Sequence, residues 1–320
     1  MKQYDYSIII PVFQNEGTLF ALYEEIKTKI IFKNKKLSGE IIFVDDGSED
    51  KSYKKLIDIK NSDDNVNCKV IKLTRNFGQG AAIFAGYKHS KGSCMINLAA
   101  DLQDPPEVVD KMLKYYFSSN YDAIIPVRRS RDDYLYRKVG SYIFYWIIKK
   151  LSFKNIPLSG FDFYLLDEKV VKFMLNSNDS DPFMQGQILW SGYKTKFINY
   201  DRAKRANGDS KHTFSKLLKF FIDAIMNYSF FPIRLMSYAG FMCSSIGFIC
   251  GLWILISRLA YGPGKAWGWA SLMIVILIIG GIQMIMLGII GEYVWRTLSQ
   301  TRKRPQYIID EISNKKQNIK

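Results

Sequence analysis

The sequence predicts an α/β fold, a mainly parallel sheet sandwiched between helices, followed by amphipathic juxtamembrane helices and two transmembrane helices. Three observations predict it. Short runs rich in Ile and Val alternate with helix-like stretches through the first half of the 320-residue chain. Acidic and polar clusters fall directly after several of those runs, where ligands sit on such sheets. Farther on, residues 235–257 and 266–291 contain no Asp, Glu, Lys or Arg.

The elements follow in order. Strands are expected at 6–12, 40–44, 69–73, 93–99 and 123–127, because each is a brief apolar, β-branched run bounded by turn residues. Helices are expected from about Thr18, from about Asp50, over 80–90 and from Pro105. Asp104, Pro105 and Glu107 fit a helix start, with Asp104 as N-cap and Glu107 reaching back. Segments at about 134–150 and 210–231, rich in Phe, Tyr, Ile and Lys, suit helices lying on a membrane surface, although packing against the soluble domain satisfies the same pattern. The domain expectation is therefore a catalytic part at 1–232, a two-helix membrane part at 233–296 and a C-terminal tail at 297–320.

About 20 apolar residues cross the hydrocarbon core, so both uncharged runs are long enough with some tilt. Lys204, Arg205, Lys211, Lys216, Lys219 and Arg234 precede the first run, and Arg296, Arg302, Lys303 and Arg304 follow the second. Only Arg258 and Lys265 lie between. The positive flanks put both termini and the catalytic part on the cytoplasmic side of a multi-pass inner (cytoplasmic) membrane protein. The start of the chain, Met-Lys-Gln-Tyr-Asp, has no apolar stretch of signal-peptide length. Small residues at Gly280, Gly281, Gly288 and Gly291 would permit close helix contact and homo-oligomerisation.

A net charge of +15 calls for anionic partners. The membrane runs favour anionic lipid or a phosphorylated substrate, and no nucleic-acid motif is present. Cys68, Cys94, Cys243 and Cys250 are too scattered for a zinc site.

Chemistry concentrates in four places. The strand ending Pro11-Val12-Phe13-Gln14-Asn15-Glu16 and the one ending Val44-Asp45-Asp46-Gly47-Ser48 each run into a polar loop. Carboxylates there would accept hydrogen bonds from a base or ribose and would repel a phosphate. An ordinary turn in which Asp45 or Asp46 caps the next helix is the plainer reading. In Asn97-Leu98-Ala99-Ala100-Asp101-Leu102-Gln103-Asp104-Pro105-Pro106-Glu107, Asp101 and Gln103 are two apart and, if strand geometry persists, present two oxygens to one point. That point suits a divalent cation, Mg2+ or Mn2+, which needs few protein ligands when substrate phosphates and water complete its shell.

These segments, with Arg75-Asn76-Phe77-Gly78 and the C-terminal Gly291-Glu292-Tyr293 and Lys303-Arg304-Pro305, resemble the polyprenyl-phosphate branch of the family 2 glycosyltransferases. That branch includes bactoprenol glucosyltransferases and dolichyl-phosphate mannose synthases. The resemblance spans nearly the whole chain. It implies a Rossmann-like GT-A fold, a nucleoside diphosphate sugar donor, a divalent metal, and inverting transfer to a polyprenyl phosphate. By the same resemblance, Pro11, Phe13, Glu16, Asp45, Asp46, Arg75 and Gly78 would bind the donor nucleotide, and Asp101 and Gln103 the metal. Ser159-Gly160-Phe161-Asp162-Phe163-Tyr164-Leu165 is similar to the stretch around the family's proposed catalytic Asp, which gives that role to Asp162. Arg129, Arg137 and Ser141 approximate an acceptor-phosphate set. Arg205, Ser210 and Lys211 match an Arg-x-x-Gly-x-Ser-Lys element that would bind acceptor phosphate or diphosphate.

Two departures stand out: Ala99 occupies a position that is usually acidic, and Tyr164 one that is commonly Arg. An acceptor phosphate has a second pKa near ~6, so its oxygen is largely ionised already. Asp162 then orients acceptor or sugar, or in a second version removes a proton; a structural Asp162, capping a helix at 167–169, is the third reading. The leading expectation is hexose transfer from UDP-glucose to undecaprenyl phosphate, giving a lipid-linked monosaccharide that a separate flippase would carry across for cell-envelope glycan modification. UDP-galactose or UDP-N-acetylglucosamine are alternative donors. Ala99 motivates another alternative, a catalytically impaired nucleotide-sugar-binding membrane protein. A processive synthase would need Gln-x-x-Arg-Trp, and Gln187-Ile-Leu-Trp190 lacks the Arg.

Overall fold

The computed structural model describes residues 3–34, 36–63, 65–128, 145–146, 149–150, 155–177, 183–201, 226, 231–261, 269–302 and 304–314. The chain forms two compact units, Met1–Phe220 with Arg304–Lys320, and Phe221–Lys303.

The first unit is built on an eight-stranded sheet. Strands β1 (Tyr4–Val12), β2 (Gly39–Asp45), β3 (Asn67–Leu73), β4 (Gly92–Asn97) and β5 (Ala123–Arg128) coincide with the five predicted runs to within a few residues. Three more strands, β6 (Tyr164–Asp167), β7 (Thr195–Tyr200) and β8 (Ile309–Asn314), join them in the order β7-β5-β6-β4-β1-β2-β3-β8. β1 pairs in parallel with β2 and β4, as do β2 with β3 and β5 with β7, whereas β6 and β8 run antiparallel to their neighbours. The sheet is mainly parallel, as predicted.

Helices α1 (Leu19–Ile26), α2 (Ser52–Ser62), α3 (Gln79–His89) and α4 (Pro106–Ser118) supply the crossovers, with a π-helical turn at Lys27–Ile31 continuing α1. Consecutive residues Ile8, Ile9 and Ile10 are all fully buried. Successive strand side chains point to opposite faces, so an unbroken apolar run is what a sheet covered on both sides requires. Ile8, Ile10, Val12 and Phe43 join Leu19, Leu22, Leu56 and Val109 in one core.

The predicted start of α4 shifts by one residue. Pro105 is itself the extended N-cap (φ −64°, ψ 127°), without a side-chain cap. Asp104 instead turns inward, where its carboxylate accepts the Tyr200 hydroxyl at 3.0 Å. Beyond β6, α5 (Glu168–Asn176) is capped by Asp167, whose carboxylate accepts the Lys169 amide at 2.9 Å, and α6 (Met184–Trp190) precedes β7. Asp162 is therefore not the cap of that helix.

The second unit holds two long helices, α7 (Phe231–Tyr261) and α8 (Trp269–Thr301). Among the described residues one stretch, Ile278–Thr301, is long and apolar enough to cross a membrane. Phe241, Phe248, Leu259 and Met284 are among many large apolar side chains left exposed on the pair. Of the expected juxtamembrane helices, residues 145–146 and 149–150 are described and helical, as are 226 and the start of α7; the remainder lies outside the described residues.

Candidate active site

Parallel pairing with matched register brings the carboxyl ends of β1, β2 and β4 together. Val12 lies opposite Asp45 across β1 and β2, and Ile9 opposite Asn97 across β1 and β4. The ends of these strands and the loops leaving them carry most of the predicted site residues that are described.

Asp45 and Asp46 divide their labour. Asp46 accepts the amides of Phe77 and Gly78 at 2.7 and 2.9 Å, latching the Arg75-Asn76-Phe77-Gly78 loop onto β2. Gly47 makes that approach possible: its φ is +67°, and a Cβ there would run into the backbone of Arg75. Asp45 accepts the Ser48 amide at 3.3 Å through one oxygen, while Oδ1 is buried and has no hydrogen-bond partner among the described residues. A buried carboxylate oxygen left open is costly unless a ligand donates to it. Burial raises the carboxyl pKa of both residues, opposed at Asp45 by Ser48 and at Asp46 by the two amides.

The other predicted nucleotide residues ring this point. Pro11 and Phe13 are half-buried at the end of β1. Glu16 accepts the Lys51 amide at 3.1 Å, so its carboxylate braces the entrance to α2. Arg75 is exposed, its guanidinium 4.2 Å from the Phe77 ring centroid, and Gly78 is the N-cap of α3 with φ +99°.

The loop after β4 is tied to the loop after β1 by the Thr18 hydroxyl, which donates to the Ala100 carbonyl at 2.7 Å. Strand geometry does not persist to Asp101 and Gln103. The strand ends at Asn97, Leu102 adopts a left-handed φ of +60°, and the Asp101 carboxylate accepts the Gln103 amide at 3.2 Å. The two residues thus belong to a turn, not to a strand. Among the described residues there is no group of three or more His, Cys, Asp or Glu that could hold a metal by itself. One carboxylate and one amide oxygen still match the hard-oxygen, sparse donor set that Mg2+ or Mn2+ accepts when phosphates supply the rest.

Asp162 arrives from the other side. Asn97, the last residue of β4, donates from Nδ2 to the Asp162 carbonyl at 2.7 Å. Arg128, the last residue of β5, lies 3.6 Å from the Asp162 carboxylate. Burial works against the Arg128 charge, but Asp162 and Tyr200 outweigh it and the guanidinium pKa is raised. Neither Asn97 nor Arg128 was anticipated as a site residue. The available signal was position: each is the polar residue that closes an apolar strand. Tyr164 is buried, with its hydroxyl 3.6 Å from the Met184 sulfur. Arg129, Arg137, Ser141, Arg205, Ser210 and Lys211 lie outside the described residues.

A mainly parallel sheet with acidic loops at its carboxyl ends defines a GT-A-type α/β domain. The family model "Glycosyl transferase family 2" matches residues 7–175, and the chain belongs to that family. It is 35% identical to a prophage bactoprenol glucosyl transferase homolog of Escherichia coli over 96% of this chain and 98% of that one. It is 34% identical to the bactoprenol glucosyl transferase of Shigella phage SfV, over 95% and 97%. Among solved structures, glucosyl-3-phosphoglycerate synthase from Mycobacterium tuberculosis in complex with UDP aligns with a TM-score of 0.50 at 15% identity, covering 70% of this chain and 79% of that one. That likeness is one of fold.

Proposed function

We propose that the protein transfers a hexose, with inversion, from a nucleoside diphosphate sugar, UDP-glucose by preference, to a polyprenyl phosphate such as undecaprenyl phosphate. The observation that carries this reading is an open, buried Asp45 oxygen at the end of β2 together with an Asp162 carboxylate braced by Arg128 beside the end of β4, two strands of one sheet joined through β1. The names of the bactoprenol glucosyl transferase relatives, matched end to end, support the acceptor class.

Asp45 would accept from the base or ribose of the donor. The acceptor's phosphate oxygen attacks the anomeric carbon, the bond from that carbon to the diphosphate breaks, and the nucleoside diphosphate leaves. Because the acceptor oxygen is already ionised, Asp162 is needed to orient acceptor or sugar rather than to take a proton. A Mg2+ or Mn2+ ion held by Asp101 and Gln103 would offset charge on the leaving diphosphate. Arg129, Arg137, Ser141, Arg205, Ser210 and Lys211 are assigned to the acceptor phosphate and diphosphate by their resemblance to family motifs.

Membrane attachment by two crossings is part of the proposal. β8 belongs to the same sheet as β1 to β7, so the chain departs before α7 and comes back after α8. A segment that leaves and returns crosses an even number of times. If α8 crosses, α7 crosses as well, which supports a hairpin with the catalytic unit and both termini on the cytoplasmic face.

The test is purified protein in detergent with Mg2+ or Mn2+, undecaprenyl phosphate and, in turn, radiolabelled UDP-glucose, UDP-galactose and UDP-N-acetylglucosamine. Labelled lipid from UDP-glucose is expected. No labelled lipid from any donor refutes the reading and favours the binding-protein alternative that Ala99 motivates. Full turnover by Asp162→Asn removes that residue from the reaction.

A further inference from the structure

Gln185 is a buried side chain in the first turn of α6, and its amide is spent on the loop that carries Asp162. Its Nε2 donates to the Phe161 carbonyl and, at 3.1 Å, to Asp162 Oδ1. Its Oε1 accepts the Tyr145 hydroxyl at 3.1 Å. These partners fix which way the amide faces, since a flip would turn its oxygen toward two acceptors. Asp162 is therefore gripped at three points: the main chain by Asn97, Oδ1 by Gln185 and Oδ2 by Arg128 at 3.6 Å. Its side chain nevertheless remains 63% exposed, free to meet a reactant.

Tyr145 reaches Gln185 by passing close over Gly160. A Cβ at that glycine would overlap the tyrosine hydroxyl, and its φ of +64° is one that L side chains rarely adopt. Tyr145 also belongs to the aromatic, basic segment expected to lie beside the membrane.

We propose that Gln185 is the positioning residue for Asp162, with its amide oriented by Tyr145. The inference rests on the reading that Asp162 acts in the transfer. Glutamine suits the place because it offers a donor to the carboxylate and an acceptor to the hydroxyl at once. A glutamate would set a second carboxylate against Asp162 and could donate only when protonated.

The experiment uses the full chain in detergent with UDP-glucose and undecaprenyl phosphate, comparing Gln185→Leu, Gln185→Glu, Tyr145→Phe, Asp162→Asn and the Gln185→Leu/Asp162→Asn double variant. Thermal melting is followed for each. Gln185→Leu is expected to lower kcat about tenfold or more with KM for UDP-glucose little changed, as for a misplaced reacting group. Gln185→Glu should regain activity as the pH falls and its new carboxyl takes up a proton, a recovery that the wild type lacks. Tyr145→Phe should cost less than Gln185→Leu. In the Asp162→Asn background, Gln185→Leu should cost nothing further.

The positioning role is overturned if Asp162→Asn is impaired while both Gln185 variants turn over normally. It is also overturned if Gln185→Leu costs as much with Asn at position 162 as with Asp, or if the loss in rate only follows a loss of folded protein. Wild-type turnover by Asp162→Asn is a different failure, because it removes the role of Asp162 itself.

Discussion

Asp45 and Asp46 are adjacent and both buried, yet Asp46 is filled by two backbone amides while Asp45 keeps Oδ1 without a partner among the described residues. The pair predicts opposite outcomes. Asp46→Ala strands the amides of Phe77 and Gly78 and should lower the melting temperature by several degrees, at about 1 to 3 kcal/mol for unsatisfied buried groups. Asp45→Asn removes a buried charge and should raise stability while weakening UDP-sugar binding about tenfold or more. Burial raises the Asp45 pKa above its ordinary 3.8, so the folded state holds the proton longer than the unfolded chain does. Stability then falls as pH rises from the unfolded value through the raised one, and the cost persists above it. Thermal melts from pH 4 to 8 should show less of this decline in Asp45→Asn. An Asn variant no more stable than wild type at pH 7 would count against an open ligand-seeking oxygen.

The edge strand β8 yields the second prediction. It pairs with β3, and Tyr53 donates to Glu311 at 2.7 Å, Lys60 to Ser313 at 2.5 Å and Lys72 to Asp310 at 2.9 Å. Truncation after Pro305 uncovers the β3 edge and these three donors. The shortened protein should melt at a lower temperature and be cut by protease within the first unit sooner than the full chain. Equal melting curves would mean that the strand adds nothing to the sheet.

The parallel core was legible because Ile8, Ile9 and Ile10, like Ile41 to Val44, are buried on both faces and leave unbroken apolar runs. β6, β7 and β8 were not. Tyr164–Asp167 is four residues long, Thr195–Tyr200 mixes Lys and Asn with its apolar residues, and Ile309–Asn314 is mostly acidic or polar because an edge strand faces water. Asp45, Asp46, Asp101 and Asp162 could be named from motifs, but their supports could not. Asn97 lies 65 residues from Asp162 and Gln185 lies 23 from it, joined only when β6 pairs with β4 and α6 packs beside α5. The strand geometry expected at Asp101 failed because β4 ends at Asn97 and the chain then turns, with Leu102 left-handed, a choice that side-chain patterning does not encode.

Thr18 gives the third prediction. Its buried hydroxyl donates to Ala100 and holds the loop after β4 against the loop after β1. Thr18→Val keeps the shape and leaves the Ala100 carbonyl unsatisfied, at a cost of about 1 to 3 kcal/mol. Because the tether joins the two loops to which donor binding is assigned in the proposed function, KM for the donor should rise together with the fall in melting temperature. Thr18→Ser, which retains the hydroxyl, should restore most of both. A Val variant with normal KM would separate the tether from donor binding.

Ala99 frames the last prediction. Family resemblance puts an acidic residue two positions before Asp101, and here the methyl at 99 is only half-buried, so a larger side chain has room. Asp101 already accepts the Gln103 amide within its own turn, which leaves it less free to serve a cation than an unengaged carboxylate. Adding a second carboxylate beside it should strengthen a Mg2+ or Mn2+ site, because affinity for hard cations rises with ligand charge. Ala99→Asp is expected to bind Mn2+ in the presence of UDP about tenfold more tightly and to reach half-maximal rate at a correspondingly lower Mn2+ concentration. Asp101→Asn should do the reverse and nearly abolish transfer. Calorimetric titration of both variants with Mn2+, with and without UDP, makes the check independent of turnover. Unaltered Mn2+ binding in Asp101→Asn would remove the cation from that loop, and unaltered binding in Ala99→Asp would mean that position 99 does not face it.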